Sequence, residues 1–285
     1  MTSFRYRCFE WVLKVSGAGK TIGKALARGN IPSVKPSSKL AKRWTRSKFK
    51  GRDIWTCRPK GSDTGQVYIH QHGGAYAIGL IPLHFAMFAK LSDMSGATII
   101  LPDYPLPPNE GAHGIIEWAA AQYQSVVGEF GSDKVRLGGD SAGGNLALAI
   151  SQKAEVLAPL MLMSPWVDLD AANMADDAPN AEILLEPVTL KAAGRKYAGD
   201  QDSKDPLISP IFAEPNTLSD VIIFAGEKDL LFGQIMRFAE TMKAAGKLTK
   251  LATYGEFGHY WMFYPVPDRE STLVEMAAIL ARKTS

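Results

Sequence analysis

Short runs of β-prone apolar residues alternate with longer stretches of helical apolar spacing from about residue 65 onward. Apolar runs bounded by Gly, Pro, Asn or Asp predict strands, and apolar residues recurring every three to four positions predict helices. The predicted strands are 66–71, 97–101, 134–137, 157–163, 221–224 and 250–254, and the predicted helices are 83–91, 111–129, 142–151, 231–245 and 271–283. Repeated strand–helix units are typical of a mostly parallel sheet with helices on both faces, so the predicted fold class is α/β.

Two other parts of the chain depart from this rhythm. N-terminal to the strand–helix alternation, the pattern predicts helices within 2–30, a loop over 31–44 and two short strands within 45–58. Within the alternation, between the predicted strands 157–163 and 221–224, residues 167–217 are rich in Asp, Pro and Asn. This composition predicts loops and a second segment that leaves the sheet. We expect the N-terminal helices to lie outside the sheet, either as a lid or cap or as a simple packing appendage.

The composition narrows the class of protein. At 285 residues and 46% hydrophobic, the chain can bury the core of one large domain with a small accessory piece. No apolar run reaches the ~18–20 residues of a membrane span, and Glu10 and Lys14 interrupt the N-terminal apolar stretch, unlike a signal peptide. Two cysteines and no Asn-x-Ser/Thr sequon do not indicate a secreted, disulfide-framed protein. We therefore expect a cytoplasmic protein without stable membrane insertion.

The charge is unevenly distributed although the net value is only +3. Residues 1–60 carry 16 Lys and Arg against two acids, and the rest carries 16 against 27. Such a basic segment could contact nucleic acid or an anionic membrane, or it could dock on the acidic body of the protein. No nucleic-acid motif accompanies the charge and the basic residues are spread out, so docking on the body is favoured and no nucleic-acid partner is expected.

A candidate nucleophile lies between the 134–137 strand and the 142–151 helix. Gly139 and Gly143 flank Ser141 at a spacing of two, which suits a sharp strained turn because a Cβ at either glycine would collide with the adjoining strand or helix. The helix that begins after Ser141 offers free backbone N–H groups to developing negative charge. These are the requirements of an acyl-transfer nucleophile.

A serine nucleophile needs a base, and His259 is the best-placed histidine. It follows the last predicted strand, so it lies at the same end of the sheet as Ser141. Asp229 follows the 221–224 strand and could orient the imidazole, with Glu227 as the rival acid. The chain order serine, acid, histidine is that of the nucleophile-elbow hydrolases, although a lone histidine can also be purely structural.

A glycine loop follows the first long strand and predicts an oxyanion site. We expect the backbone N–H groups of Gly73, Gly74 and Ala142 to stabilise the tetrahedral intermediate, although two adjacent glycines can also form an ordinary turn. His70 and His72 lie on one strand face without a Cys, Asp or Glu cluster, so we expect no metal site and expect His72 to brace the loop.

The substrate pocket is less well marked. Tyr76, Trp166, Leu230 and Tyr260 flank the candidate catalytic loops and are plausible walls, but each could equally belong to the core. The glycine clusters lack the spacing of a phosphate loop or a dinucleotide fingerprint, so no cofactor is expected.

Several motifs together resemble the hormone-sensitive-lipase-like branch, bacterial family IV, of the α/β-hydrolases. They are HGGAY at 72–76, DYPLPP at 103–108, GDSAGG at 139–144, SPWVD at 164–168, DPLISP at 205–210, Asp229 with two following leucines, and Gly258-His259. The resemblance implies an α/β-hydrolase domain over 46–285, with a small helical cap formed by 1–45 and part of 170–205, and often a homodimer. It also implies a carboxylesterase for short acyl esters of small molecules, with the triad Ser141, Asp229 and His259.

One position departs from the pattern of that branch. The third glycine after the histidine is replaced by Ala75, which is costly if the loop needs a positive φ there. Within the same chemistry, a lactone hydrolase is the alternative, and a long-chain lipase is a weaker one. From another class, a non-catalytic binding protein would resemble receptors that keep the fold but lose the histidine, which this chain retains as His259.

Overall fold

Helices and strands alternate as the periodicity predicts in a computed structural model that describes residues 3–169 and 182–282. The α-helices are α1 (Phe4–Val15), α2 (Ala18–Arg28), α3 (Pro82–Ser95), α4 (Ala112–Phe130), α5 (Ala142–Lys153), α6 (Pro187–Ala198), α7 (Phe232–Ala244) and α8 (Glu270–Leu280). The strands are β1 (Thr45–Phe49), β2 (Arg52–Cys57), β3 (Val67–Gln71), β4 (Thr98–Pro102), β5 (Val135–Asp140), β6 (Leu160–Met163), β7 (Val221–Gly226) and β8 (Leu248–Tyr254).

The strands form one sheet in the order β1-β2-β4-β3-β5-β6-β7-β8. The pairs β1–β2 and β2–β4 are antiparallel, and every other neighbouring pair is parallel. This confirms the predicted α/β fold with a mostly parallel sheet. The two strands predicted within 45–58 are its antiparallel edge.

The centre of the sheet brings two predicted loops together. Strands β3 and β5 are adjacent and parallel, with Gln71 paired to Gly139. Because parallel strands end at the same edge of a sheet, the glycine loop after β3 and the serine turn after β5 leave side by side. Strands β3 to β7 are buried along their whole length, as expected for strands covered by helices on both faces.

The N-terminal helices pack together with a helix that the sequence pattern did not predict. Helix α2 contacts both α1 and α6. Helix α6 lies in the stretch predicted as loops, and it begins with Pro187 and buries Leu190, Ala193 and Tyr197 at helical spacing. Residues 170–181 of the predicted cap lie outside the described residues, so the division into cap and catalytic domain stays a prediction. None of the helices in the described residues is long and apolar enough to cross a bilayer.

Candidate active site

Ser141 lies on a strained turn between β5 and α5. Its φ of 52° and ψ of −120° are unusual for a residue with a side chain. A Cβ at Gly143 would lie 1.9 Å from the carbonyl oxygen of Gln71, and one at Gly139 would lie 2.2 Å from that of Gly143. The predicted need for glycine at both positions is therefore confirmed by the packing.

His259 and Asp229 form a buried pair at the ends of neighbouring strands. Nδ1 of the imidazole lies 2.9 Å from both carboxylate oxygens of Asp229. Oδ1 also accepts a hydrogen bond of 2.9 Å from the amide of Leu231, which fixes the carboxylate. Of the two acids considered from the sequence, Asp229 contacts the imidazole and Glu227 is exposed.

Ser141 and His259 both line one cavity of about 240 Å³. Within the described residues, no hydrogen bond links the hydroxyl of Ser141 to the imidazole of His259. Hydrogen bonds between a nucleophile and its base commonly tighten only when substrate binds. The structure therefore brings the three candidate catalytic residues to one site, with the acid–base pair already formed.

Carboxylates around His259 set its proton affinity. Burial by itself lowers the pKa of His259, but the charge and hydrogen bond of Asp229 outweigh burial, so the net shift is upward. The carboxylates of Glu182 and Asp140 add to that upward shift from further away. The electrostatic surroundings therefore favour the imidazolium that a general base becomes when it takes a proton.

Glu182 is a second carboxylate beside Asp229 that sequence reasoning missed. Its Oε1 accepts hydrogen bonds from the amides of Ile183, at 2.8 Å, and Leu184, at 2.7 Å. Its Oε2 lies 3.4 Å from the amide nitrogen of Leu230, next to Asp229 in the chain. Burial first, and then repulsion from Asp229, raises the pKa of Glu182. No sequence signal marks this residue, because its proximity to Asp229 arises only from the fold.

The predicted oxyanion donors are not equivalent. The amides of Gly74 and Ala142 have no hydrogen-bond acceptor within the described residues, and Ala142 is the first residue of α5. The amide of Gly73 instead donates to Oδ1 of Asp140 at 2.9 Å. The prediction for Gly73 is therefore corrected, since its N–H is held by a carboxylate and is not free for an oxyanion.

Asp140 ties the glycine loop to β5. Its Oδ1 also accepts a hydrogen bond of 2.8 Å from Nε2–H of His70, whose Nδ1 accepts one of 3.0 Å from the Tyr68 hydroxyl. Burial opposes ionisation of Asp140, but His70 and the nearby His84 outweigh it and hold the pKa of Asp140 well below its usual range. Asp140 directly precedes Ser141, and sequence reasoning gave it no role.

His72 braces the glycine loop, as the sequence analysis predicted. Its Nδ1–H donates to the carbonyl oxygen of Gly73 at 2.7 Å, and its ring stacks on Tyr104 with centroids 4.1 Å apart. Burial lowers the pKa of His72 to about 3, so the imidazole stays neutral over the working range of most enzymes. The glycine loop is thus fixed by two contacts of Gly73, whose amide donates to Asp140 and whose carbonyl oxygen accepts from His72.

The position that departs from the glycine pattern does carry a positive φ. Ala75 has a φ of 52° and Tyr76 one of 55°. The Tyr76 hydroxyl donates a 2.6 Å hydrogen bond to Oδ1 of Asn145, and its ring stacks on Tyr197 with centroids 3.6 Å apart. These contacts draw the loop into the core and hold it in a conformation that L-residues disfavour.

The cavity walls differ from those predicted. Of the four candidates, Tyr260 lines the cavity, whereas Tyr76, Trp166 and Leu230 are not among its described lining residues and are buried elsewhere. The indole N–H of Trp166 donates to the carbonyl oxygen of Asp168, which fixes the ring in the core. The described apolar walls come mainly from the N-terminal helices and from the segment around α6, through Phe9, Leu13, Ile22, Leu26, Leu184 and Leu190. Helical spacing in 2–30 was the available signal for the first four.

Comparisons with known proteins identify the family of the fold. A family profile described as an alpha/beta hydrolase fold matches residues 68–263. The chain is similar to an acetyl-hydrolase of Streptomyces hygroscopicus, at 29% identity over 79% of this chain and 78% of the relative. It is also similar to an esterase of Acinetobacter venetianus, at 30% identity over 74% of this chain and 73% of the relative.

Solved structures are similar over almost the whole chain. A hormone-sensitive lipase from a metagenome library superimposes with a TM-score of 0.81 at 25% identity, covering 98% of each chain. The hormone-sensitive lipase homologue EstE7, also from a metagenome library, superimposes with a TM-score of 0.79 at 26% identity, again over 98% of each chain.

Proposed function

This chain belongs to the α/β-hydrolase fold family, in its hormone-sensitive-lipase-like branch, and we propose that it is a serine carboxylesterase for short-chain acyl esters. The observation that carries the proposal is the buried Asp229–His259 pair, which lines one cavity with the strained Ser141. Relatives named as an acetyl-hydrolase and an esterase support the same class of reaction.

In the acylation step, the Ser141 hydroxyl attacks the ester carbonyl carbon while Nε2 of His259 takes its proton. Asp229 holds Nδ1–H and stabilises the imidazolium. The oxyanion accepts hydrogen bonds from the amides of Gly74 and Ala142, each worth ~2.7–4 kcal/mol in comparable enzymes. His259 then gives this proton to the leaving-group oxygen as the bond between that oxygen and the acyl carbon breaks, and the alcohol leaves the acyl-enzyme.

The acyl-enzyme is hydrolysed by the same groups. His259 removes a proton from water as the hydroxide oxygen attacks the acyl carbon. The second tetrahedral intermediate collapses when His259 protonates Ser141, which releases the carboxylic acid. His259 gives up in each half-reaction the proton that it took, so the imidazole is neutral again at the end of the cycle.

The cavity supports a preference for short apolar acyl groups. Its volume is about 240 Å³, and Phe9, Leu13 and Leu190 are among its apolar walls. A pocket of this kind favours an acyl chain that fills it, because buried methylene groups each gain ~0.8 kcal/mol until the space is used. Longer chains must extend into solvent or displace the helices.

A panel of p-nitrophenyl acetate, butyrate, octanoate and palmitate, with γ- and δ-lactones, tests the proposal. We expect the highest kcat/KM for acetate or butyrate, a fall toward palmitate, and slower turnover of lactones. Ser141→Ala serves as the inactive control. Faster turnover of lactones than of all esters would show that the protein is a lactone hydrolase and not a carboxylesterase. Ligand binding without any turnover would contradict enzymatic function.

A further inference from the structure

Helix α1 exposes an apolar stripe to solvent, which we call the outer stripe. It consists of Phe4, Cys8, Trp11, Val12 and Val15, which recur at the three- and four-residue spacing of one helix face. Phe4 is 75% exposed, Trp11 64%, Val12 49% and Val15 60%. Single exposed apolar side chains are ordinary, but a continuous stripe that includes a tryptophan and a phenylalanine marks an interaction surface.

A second apolar side of the same helix packs against the protein, so α1 is held in place without the outer stripe. Tyr6 is buried, and Phe9 and Leu13 pack against the core and line the cavity beside Ser141. This inner side already anchors α1 to the protein. The outer stripe is therefore free to contact something else.

Cations flank the outer stripe on both edges. Arg5 lies along one edge and Arg7 and Lys14 along the other, and all three are exposed. Within the described residues, no basic side chain of α1 or α2 forms an ion pair.

Further along the basic segment, the cations do dock on acids. Arg43 pairs with Asp93, and Arg52 pairs with Asp103. The docking favoured from the sequence therefore applies to this later part, whereas the cations of α1 and α2 form no ion pair with any described residue.

We propose that the outer stripe and its flanking cations dock this protein on the surface of a bilayer that contains anionic lipids. An exposed apolar stripe bordered by Lys and Arg is the arrangement by which helices lie in the membrane interface, with aromatic rings between the headgroups and cations beside the phosphates. This is peripheral docking and needs no spanning helix.

A second copy of the chain fits this surface less well. A two-fold contact through the outer stripe would bring Arg5, Arg7 and Lys14 of both copies together, and like charges across an interface are unfavourable. An anionic bilayer instead complements the charge.

Docking would also serve the proposed function, on which this point rests. Phe9 and Leu13 line the Ser141 cavity from the opposite side of α1, so docking would place that cavity near the phase where apolar esters accumulate.

Vesicle binding tests the surface without relying on activity. The full chain is sedimented with phosphatidylcholine vesicles that contain either no anionic lipid or about 30 mol% phosphatidylglycerol. We expect binding to the anionic vesicles that weakens when NaCl is raised from about 50 mM to about 500 mM. Failure to bind anionic vesicles at the lower salt concentration would overturn the proposal.

Trp11 provides an internal reporter. The other five tryptophans, Trp44, Trp55, Trp118, Trp166 and Trp261, are all buried, so a blue shift of emission and quenching by brominated lipid report on Trp11. Trp11→Phe should keep binding but lose the spectral change. Binding to anionic vesicles without any change in tryptophan emission would contradict docking through the outer stripe.

Matched variants separate this surface from general surface properties. Trp11→Glu should abolish binding, whereas Val274→Glu, at a residue 58% exposed on α8, should not. Replacing Arg7 and Lys14 with Gln should weaken binding about 25-fold, or about fivefold for each cation, whereas Gln at the exposed Lys134 and Lys243 should have little effect. Equal binding by the Arg7/Lys14 and Lys134/Lys243 double variants would contradict the proposal. A concentration-dependent dimer that Trp11→Glu dissociates would also contradict it.

Discussion

Both carboxylate oxygens of Asp229 lie 2.9 Å from Nδ1 of His259, and both side chains are buried. This arrangement places the proton of the neutral imidazole on Nδ1 and leaves Nε2 to accept the proton of Ser141. Asp229→Asn offers an amide that can hold the opposite tautomer. We therefore expect kcat for p-nitrophenyl butyrate to fall about 10⁴-fold while the fold is retained.

Glu227→Gln is the matched control for that prediction. Glu227 lies two residues before Asp229 but is exposed, so its neutralisation should leave kcat nearly unchanged. A large loss in Glu227→Gln, with activity kept in Asp229→Asn, would show that the acid has been assigned to the wrong residue.

The pH dependence of kcat/KM should report the carboxylates around His259. The base acts in its neutral form, so kcat/KM falls as the pH drops through the pKa of His259, which its surroundings raise. Glu182 contributes to that rise, so Glu182→Gln should move the acidic inflection to lower pH. A pH–rate profile on one short ester measures the shift.

Glu186→Gln controls for the removal of a negative charge from the same segment. Glu186 is exposed at the start of α6, so solvent screens its charge and the inflection should stay in place. If Glu182→Gln left the inflection unmoved or shifted it upward, Glu182 would not act on the base.

The strand–helix order, the serine turn and the ends of the strands could be predicted from the sequence, because each depends on local periodicity or on glycine sterics. The contact of Asp229 with His259 also follows from two loops that leave the same edge of the sheet. Helix α6 was missed because its stretch is dominated by turn-forming residues, although Pro187 and the spacing of Leu190, Ala193 and Tyr197 carried a signal.

The remaining features depend on packing between distant parts of the chain. Glu182 accepts from the amide of Leu230, 48 residues later in the sequence, and Asp140 accepts from the amide of Gly73, 67 residues earlier. Tyr76 follows the glycine loop in sequence and was predicted as a pocket wall, but a positive φ and a stacked Tyr197 turn it into the core. Local patterns contain no information about such partners.

Ala75 should carry backbone strain that glycine would relieve. Its φ of 52° costs an L-residue ~1–2 kcal/mol, whereas glycine adopts it freely. Ala77 is equally buried, at 4% exposure, but is not among the residues with positive φ. We expect Ala75→Gly to be more stable than Ala77→Gly by ~1–2 kcal/mol, because the two variants lose the same methyl group and gain similar unfolded-state entropy.

Urea denaturation of the two variants and the parent chain measures this difference. A free energy of unfolding for Ala75→Gly equal to or below that of Ala77→Gly would mean that the glycine loop is not strained at this position.

Reaction with a fluorophosphonate, followed by mass spectrometry of the labelled peptide, tests the central claim most directly. We predict one adduct per chain on Ser141, loss of ester hydrolysis in proportion to labelling, and a folded Ser141→Ala variant that is neither labelled nor active. An adduct on another residue, or hydrolysis by Ser141→Ala at the rate of the parent chain, would contradict a mechanism in which Ser141 is the nucleophile.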